Sequence, residues 1–448
     1  MYASHLTSAQ IGSYSSGGLT FTMQDLAQEL LDMILKHARD DTTDRVDFLR
    51  LRRAIISVCM RWKNTACRDR HWWRTVWLAR FMPHPYIAFA LAQAPIGDFD
   101  LILDATNYTG FGNPRPMENF ECNTIASFLD LVRGLVHDYL PHISGLGIVG
   151  LSRRDWRDLS PMVIGATRPT LRRLSFDVDR FHAGWLTVDE IALAGWNSLD
   201  SLVIGGADPL PTGLGLYSQL TVLKLCRMMQ LDLGTHFILG VLQEASQLVM
   251  LELNQVECYD AGHTIANEVT LPRLEHLRLV YGKDRCAALL RYLSLPHLLT
   301  FNLEPGQRTS VARLLLACGH ILQRVPELDL YIPNNLVSEM RPFWTRLRDV
   351  SHLIITSSGF ALWNSVHDAL TTGVVAWPML QRLAIADPVD KWDVLDLHER
   401  LSAPVDCLTV LCPAREMRRQ HITIEWQIRG VVVTSTEFVT HKRLGRWD

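Results

Sequence analysis

No stretch of the sequence runs to eighteen apolar residues, so no segment is expected to span a bilayer. Neither charge is in surplus: forty-four Lys and Arg stand against forty-seven Asp and Glu, a net −3. That removes the electrostatic case for general binding to nucleic acid or to a membrane surface. No two cysteines have CxxC spacing, and the nine present are scattered and odd in number. They read as small apolar residues of a reducing compartment. The opening MYASHLTSAQIGSYSSGG lacks the basic and apolar regions of a secretory leader, so the expected location is cytoplasmic or nuclear. GxSxG, HExxH and GxxxxGK[ST] are missing as well. The seventeen histidines show no ligand spacing. The expectation is a non-enzymatic chain with no catalytic residue, metal or cofactor.

What is present is a repeat. At 448 residues and 48% hydrophobic content the chain is too long for one compact core, so it is several domains or one elongated array. The template apolar-x-x-apolar-x-apolar recurs eleven times, at a mean spacing of about 26 residues. Its first occurrence is Ile143/Leu146/Ile148 and its last is Val405/Leu408/Val410. Between them come units such as Leu248/Leu251/Leu253 and Leu380/Leu383/Ile385. The last two apolar positions of a unit share one side of a short strand, and the residues beside them point the other way. Helical periodicity lies between strands, as in Ile238, Val241, Leu242 and Ala245. Neither element alone can bury its apolar side, whereas stacked units bury both in one core. Phe99–Leu103 reads as an additional strand before the array. Residues 107–121 read as an inserted loop, and 422–439 as a hairpin closing the far end.

This pattern resembles the leucine-rich repeats, loosely. That family carries Asn or Cys three residues after the last strand leucine, where this chain has Asp179, Met228, Val256 and Gly282. Irregular turns are therefore expected. The outward strand positions are the expected target-binding face of a concave surface: Arg173, Lys224, Glu252, Asn254, His276, Arg278, Asn302, Glu304, Asp329, Tyr331 and His352.

Ahead of the array, Thr22-Met-Gln-Asp25 has capping-box spacing, and Leu26, Leu30, Ile34 and Ala38 follow at helical intervals, widened by Leu31 and Leu35. A second helical run carries Phe48, Leu51, Ile55, Val58, Cys59 and Trp62, and then come Trp72, Trp73 and Val76. Two or three short helices cannot bury so many large apolar groups among themselves, so some of this surface is expected to meet a partner. LxxELLxxIL followed by VCxxW and a later Trp resembles an F-box. Its positions here are Leu26, Glu29, Leu30, Leu31, Ile34, Leu35, Val58, Cys59, Trp62 and Trp73, with Ala27 where the family has proline and a longer spacer before Val58.

The resemblance implies docking to the Skp-type adaptor of a cullin–RING ubiquitin ligase through Leu26, Leu30, Leu31, Ile34, Leu35, Val58, Cys59, Trp62 and Trp73. The array would then hold a target protein. The expected architecture is an α/β repeat solenoid. A flexible tail over 1–21 leads into a small all-α F-box-like domain over 22–80, and a divergent leucine-rich-repeat-like horseshoe with a C-terminal cap occupies 81–448. Between Arg45 and Arg80 there are ten Lys and Arg against two Asp, which suits solvated helix faces or an acidic partner ahead of a nucleic-acid patch. Two other readings stay open: a repeat scaffold without a ubiquitin role, and a nucleotide-dependent enzyme using Gly145-Leu-Gly147-Ile-Val-Gly150.

Overall fold

The computed structural model describes residues 27–41, 45–79, 84–105, 125–151, 158–159, 170–177, 198–205, 216–227, 235–256, 268–282, 289–305, 311–332, 339–357, 365–366, 377, 379–386, 407–412 and 431–435. They fall into two compact units, 27–72 and 73–435. The capping box, the N-terminal tail and the 107–121 insertion lie outside the described residues.

Among the described residues the first unit has three α-helices, α1 (Gln28–Asp41), α2 (Arg45–Val58) and α3 (Met60–Arg68), and a short 3-10 turn at Arg70–Trp72. Glu29 in the first turn of α1 and Arg39 in its last both complement the helix dipole. A single extended residue, Cys59 at φ −162° and ψ 170°, separates α2 from α3, so the VCxxW segment is a helix junction. Leu31, Leu35, Ile55, Ala66 and Trp72 are buried. Phe48 stacks on Trp72 with ring centroids 5.5 Å apart. The buried Arg52 lies 5.6 Å from the centre of the Phe48 ring and donates to the Trp72 carbonyl at 3.0 Å. A cation without solvent needs such partners. Arg39 pairs with Asp69 at 2.8 Å and Gln28 donates to Thr65 at 3.0 Å, fastening α1 to α3.

The second unit is a solenoid built on one parallel sheet, with fourteen strands among the described residues. In chain order these are β1 (Thr75–Ala79), β2 (Phe99–Asp104), β3 (Ile143–Val149), β4 (Arg173–Asp177), β5 (Ser201–Gly205), β6 (Val222–Cys226) and β7 (Met250–Asn254). After the short β8 (Val269–Thr270) come β9 (His276–Gly282), then the short β10 (Leu293–Ser294), β11 (Thr300–Pro305) and β12 (Glu327–Ile332). The last four are β13 (His352–Ser357), β14 (Arg382–Ala386), β15 (Cys407–Cys412) and β16 (Val431–Ser435). Short β8 and β10 form a separate pair. Helices α4 (His84–Gln93), α5 (Ile125–Val136), α6 (Thr235–Glu244), α7 (Val311–Leu322) and α8 (Arg341–Trp344) lie in the connections.

Register explains why the template repeats. Leu174, Leu202, Leu223, Leu251, Leu277, Phe301, Leu328, Leu353 and Leu383 are successive partners across nine strands, and all are buried. A one-residue slip in any strand would turn this row to the opposite side, so the leucines fix the pairing. The α/β repeat solenoid expected from the sequence is the fold observed. The array is longer than the template indicated: β1, β2 and β16 extend it, and β1 begins at Thr75, inside the stretch expected to be helical to residue 80. Val431–Ser435 joins β15 in parallel as one more rung. The other arm of the expected hairpin, 422–428, lies outside the described residues.

The turns dispense with an asparagine side chain. Gly150, Arg227 and Gln255 each take a left-handed conformation just after a strand, at φ 69°, 54° and 53°. The Arg227 N–H then donates to the Asn254 carbonyl at 2.7 Å, and the Gln255 N–H to the Val280 carbonyl at 3.0 Å. Backbone of the next rung thereby caps the turns at Arg227 and Gln255. Val256 is simply buried, and Gly282 pairs with Pro305 beyond a bulge.

Candidate docking surfaces

The duplicated leucines of the α1 motif divide by role. Leu31 and Leu35, one turn apart, are 0% and 2% exposed, whereas Leu30 and Ile34 are 47% and 44% exposed. Met33, on the same side as Leu30 and Ile34, is 64% exposed. Helix α1 therefore lies on its unit by one edge and presents an unpartnered apolar strip along another. At the α2–α3 junction Val58 and Met60 are 54% and 67% exposed. Cys59 and Trp62 are half-buried, and the Trp62 indole N–H has no hydrogen-bond partner among the described residues.

Three of the residues expected to touch an adaptor, Leu31, Leu35 and Trp73, are buried within the chain and support the fold. Trp73 packs edge-on to Phe89 at 5.4 Å, within the second unit, while its neighbour Trp72 belongs to the first. Leu26 lies outside the described residues. Conversely, sequence reasoning passed over Met33 and Met60, because periodicity ranks apolar residues by phase alone and an exposed methionine has the same phase signal as a buried one.

All eleven residues of the expected target-binding face project to the side opposite the leucine rows. Lys224, Glu252, Arg278, Asn302 and Asp329 are successive register partners from β6 to β12. Arg173, His276 and His352 stand two positions earlier in their strands, and Asn254, Glu304 and Tyr331 two positions later than the central row. Glu252 sits between two cations, with Lys224 at 3.8 Å and Arg278 at 3.6 Å. Those separations are ion pairs without close hydrogen bonds, so a competing group could displace them cheaply. Asn302 donates to Asp329 at 2.8 Å. Two residues earlier in these strands, His276 Nδ1 meets the Thr300 hydroxyl at 2.7 Å and His352 Nδ1 lies 3.5 Å from Glu327. Beside this row the Cys226 thiol is pushed up to about 11, by burial first and then by the Glu252 carboxylate, against the opposing pull of Lys224 and Arg278. Such a thiol stays protonated and inert.

Toward the start of the array the face is closed on itself. Arg173 reaches two strands across to Asp100, with Nη2 at 2.8 Å and Nε at 3.2 Å from Oδ1, and donates also to Ser144 at 2.9 Å. The intervening strand must be bare for this to happen. A Cβ on Gly145 would fall on the Asp100 carboxylate oxygen and 2.7 Å from its Cγ. A Cβ on Gly147 would sit 3.2 Å from Ile102 Cγ1. The first two glycines of the GxGxxG segment thus lie within β3, paired on both sides, and make room for side chains of β2, while Gly150 turns the chain after the strand. A dinucleotide needs those glycines at a strand-to-helix turn, so the motif match is coincidental. Among the described residues no group of His, Cys, Asp and Glu could hold a metal, and no helix is long and apolar enough to cross a membrane.

Neither a family model nor a curated protein matches this chain. Among solved structures it is similar to a chain from the complex of Rad7 and Elc1 in yeast, with 14% identity and a TM-score of 0.37, covering 93% of this chain and 92% of that one. It is also similar to a chain of the TLR13–ssRNA13 complex, at 12% identity and a TM-score of 0.31, covering 64% of this chain and 44% of that one.

Proposed function

We propose that this protein is a non-enzymatic substrate receptor of an SCF-type ubiquitin ligase, with the helical unit docking on a Skp-type adaptor and the polar sheet face holding a target protein. The observation that carries the reading is the division of the α1 motif: Leu31 and Leu35 bury while Leu30, Met33 and Ile34 stay exposed. Full burial of one such side chain is worth about 1.5–3 kcal/mol, and with these about half exposed the strip offers a partner helix roughly half of that per residue. The surrounding sequence is the one that resembles an F-box.

The sheet face suits the second task. Apart from the buried Glu252 its residues are partly exposed, mixed in charge and spread over consecutive rungs, so a target would be read at several points by contacts that are individually weak. The chemistry of ubiquitin transfer would belong to other subunits, and this chain would contribute proximity.

The test is an affinity pull-down with purified Skp-type adaptor, comparing the full chain with the double variant Leu30→Lys/Ile34→Lys. Each lysine would place a charge in an apolar interface. Loss of capture by a variant whose circular dichroism and elution volume are unchanged supports the proposal, and undiminished capture refutes it.

A further inference from the structure

The apolar strip of α1 does not account for the charge carried by the other two helices. Ten Lys and Arg against two Asp occupy the segment from Arg45 to Arg80, in a chain whose net charge is −3. Part of that excess is spent internally: Arg52 is buried against Phe48 and the Trp72 carbonyl, Arg61 lies 3.5 Å from Gln28, and Asp69 is held by Arg39. Arg53, Arg68 and Arg70 are exposed and their guanidinium groups form no ion pair among the described residues.

Their placement follows the helices. On α2 the exposed positions are Arg53, Ala54, Ser57 and Val58, at the spacing of one helix side. On α3 they are Met60, Asn64 and Arg68, each four residues from the last. Val58 and Met60 are among the most exposed large apolar residues of those described, and they sit at the joint of these strips with arginines toward the far end of each.

We propose that the α2–α3 strip, with Arg70 just beyond the end of α3, is a second contact for the same adaptor, taking an acidic segment that carries an aliphatic anchor: its carboxylates meet Arg53, Arg68 and Arg70, and its anchor covers Val58 and Met60. This rests on the docking role proposed above and adds the chemistry of the partner. Exposed arginines grouped on one small unit call for carboxylates. The aliphatic side chains between them favour a protein over a nucleic acid, whose backbone offers no apolar counterpart and whose bases need exposed aromatic platforms. Trp62 cannot serve as one, being half-buried. Unpaired surface charges of this kind act mainly on the rate of encounter and fade with added salt.

The experiment measures association of the full chain with purified Skp-type adaptor by stopped flow at low and high sodium chloride. It compares the wild type with the triple variant Arg53→Glu/Arg68→Glu/Arg70→Glu and with its Gln counterpart, which guards against a folding defect in the reversed form. The expected result is association slowed about tenfold or more in the Glu variant at low salt, less in the Gln variant, with both approaching the wild-type rate at high salt and dissociation little changed. Wild-type association rates and an unaltered salt slope in both variants overturn the inference and leave the docking role standing. Absence of any wild-type complex overturns the docking role and the inference with it. Loss of duplex DNA binding in the Glu variant, with adaptor association unaffected, assigns the strip to nucleic acid and likewise overturns it.

Discussion

Replacing Gly145 by alanine tests whether the sheet face is organised by side chains that cross a bare strand. The new Cβ would coincide with Asp100 Oδ1, so the carboxylate must leave its place above β3. Arg173 then loses an acceptor bonded through both Nε and Nη2, keeping only the Ser144 hydroxyl. The pair is about a quarter exposed on each side, so its loss is worth on the order of 1 kcal/mol. Forcing an extra methyl between packed strands adds about 1–3 kcal/mol, offset by about 0.4–1 from the stiffer unfolded chain. Gly145→Ala should therefore cost about 2–3 kcal/mol and Asp100→Ala about 1.

The double variant is the decisive member of the cycle. With Asp100 shortened, the methyl group has somewhere to go, and the pair can be lost only once. The two changes together should cost about as much as Asp100→Ala alone, a departure from additivity of roughly 2 kcal/mol. Native-state hydrogen exchange in full-length protein, read on peptides covering β2, β3 and β4, reports the opening free energy of these rungs directly. Costs that add within about 0.5 kcal/mol would show that Gly145 and Asp100 do not meet, and the crossing contact would be refuted.

Three further outcomes follow from the same geometry. Leu31→Ala, at a fully buried position, should destabilise the helical unit by about 2–5 kcal/mol, whereas Leu30→Ala should change its melting by no more than about 0.5 kcal/mol while weakening adaptor binding; equal thermal effects would contradict the division of the motif. Cys226 and Cys318, raised by burial to about 11 and about 12, should resist iodoacetamide at pH 8 in the native protein and react once it is unfolded; prompt native labelling of either would count against the burial described. Because both thiols hold their protons more tightly folded than unfolded, their stabilising contribution is complete below pH 9 and is lost as pH rises through 11 and 12. Alkaline urea titrations of wild type and Cys318→Ala should therefore diverge above pH 9, with the wild type falling more steeply, and parallel curves would contradict that sign.

Much of this architecture is legible in the amino-acid order, for a reason that also sets its limits. Two apolar residues a strand-period apart, recurring about every 26 residues, define which side of each rung faces in, and the opposite side follows by alternation. Lys224, Glu252, Arg278, Asn302 and Asp329 could be placed on one row without coordinates for that reason. What period cannot convey is reach. Arg173 and Asp100 are 73 residues apart and two strands apart, joined only because Gly145 between them has no side chain. The glycine was visible in the sequence, but it fell inside a string that spells a nucleotide motif, and only its place in mid-strand shows what it does.

The helical unit shows a different limit. Leu30 and Leu31 are identical neighbours, as are Trp72 and Trp73, yet one of each pair lies where the other cannot. A step of one residue turns a helix by about 100°, so adjacent leucines face different surroundings, and which is buried depends on where α3 packs. At the two tryptophans the chain passes from one unit to the other. Composition and spacing alone do not encode where that passage falls.

The most direct measurement of the central claim is native mass spectrometry of the full chain mixed with purified Skp-type adaptor, alongside the Leu30→Lys/Ile34→Lys variant and a control carrying Leu316→Lys, an exposed leucine of α7 in the solenoid. The account predicts a one-to-one complex for the wild type and the control, and free components for the double variant. A complex that survives both α1 lysines, or none with the wild-type chain, would contradict it.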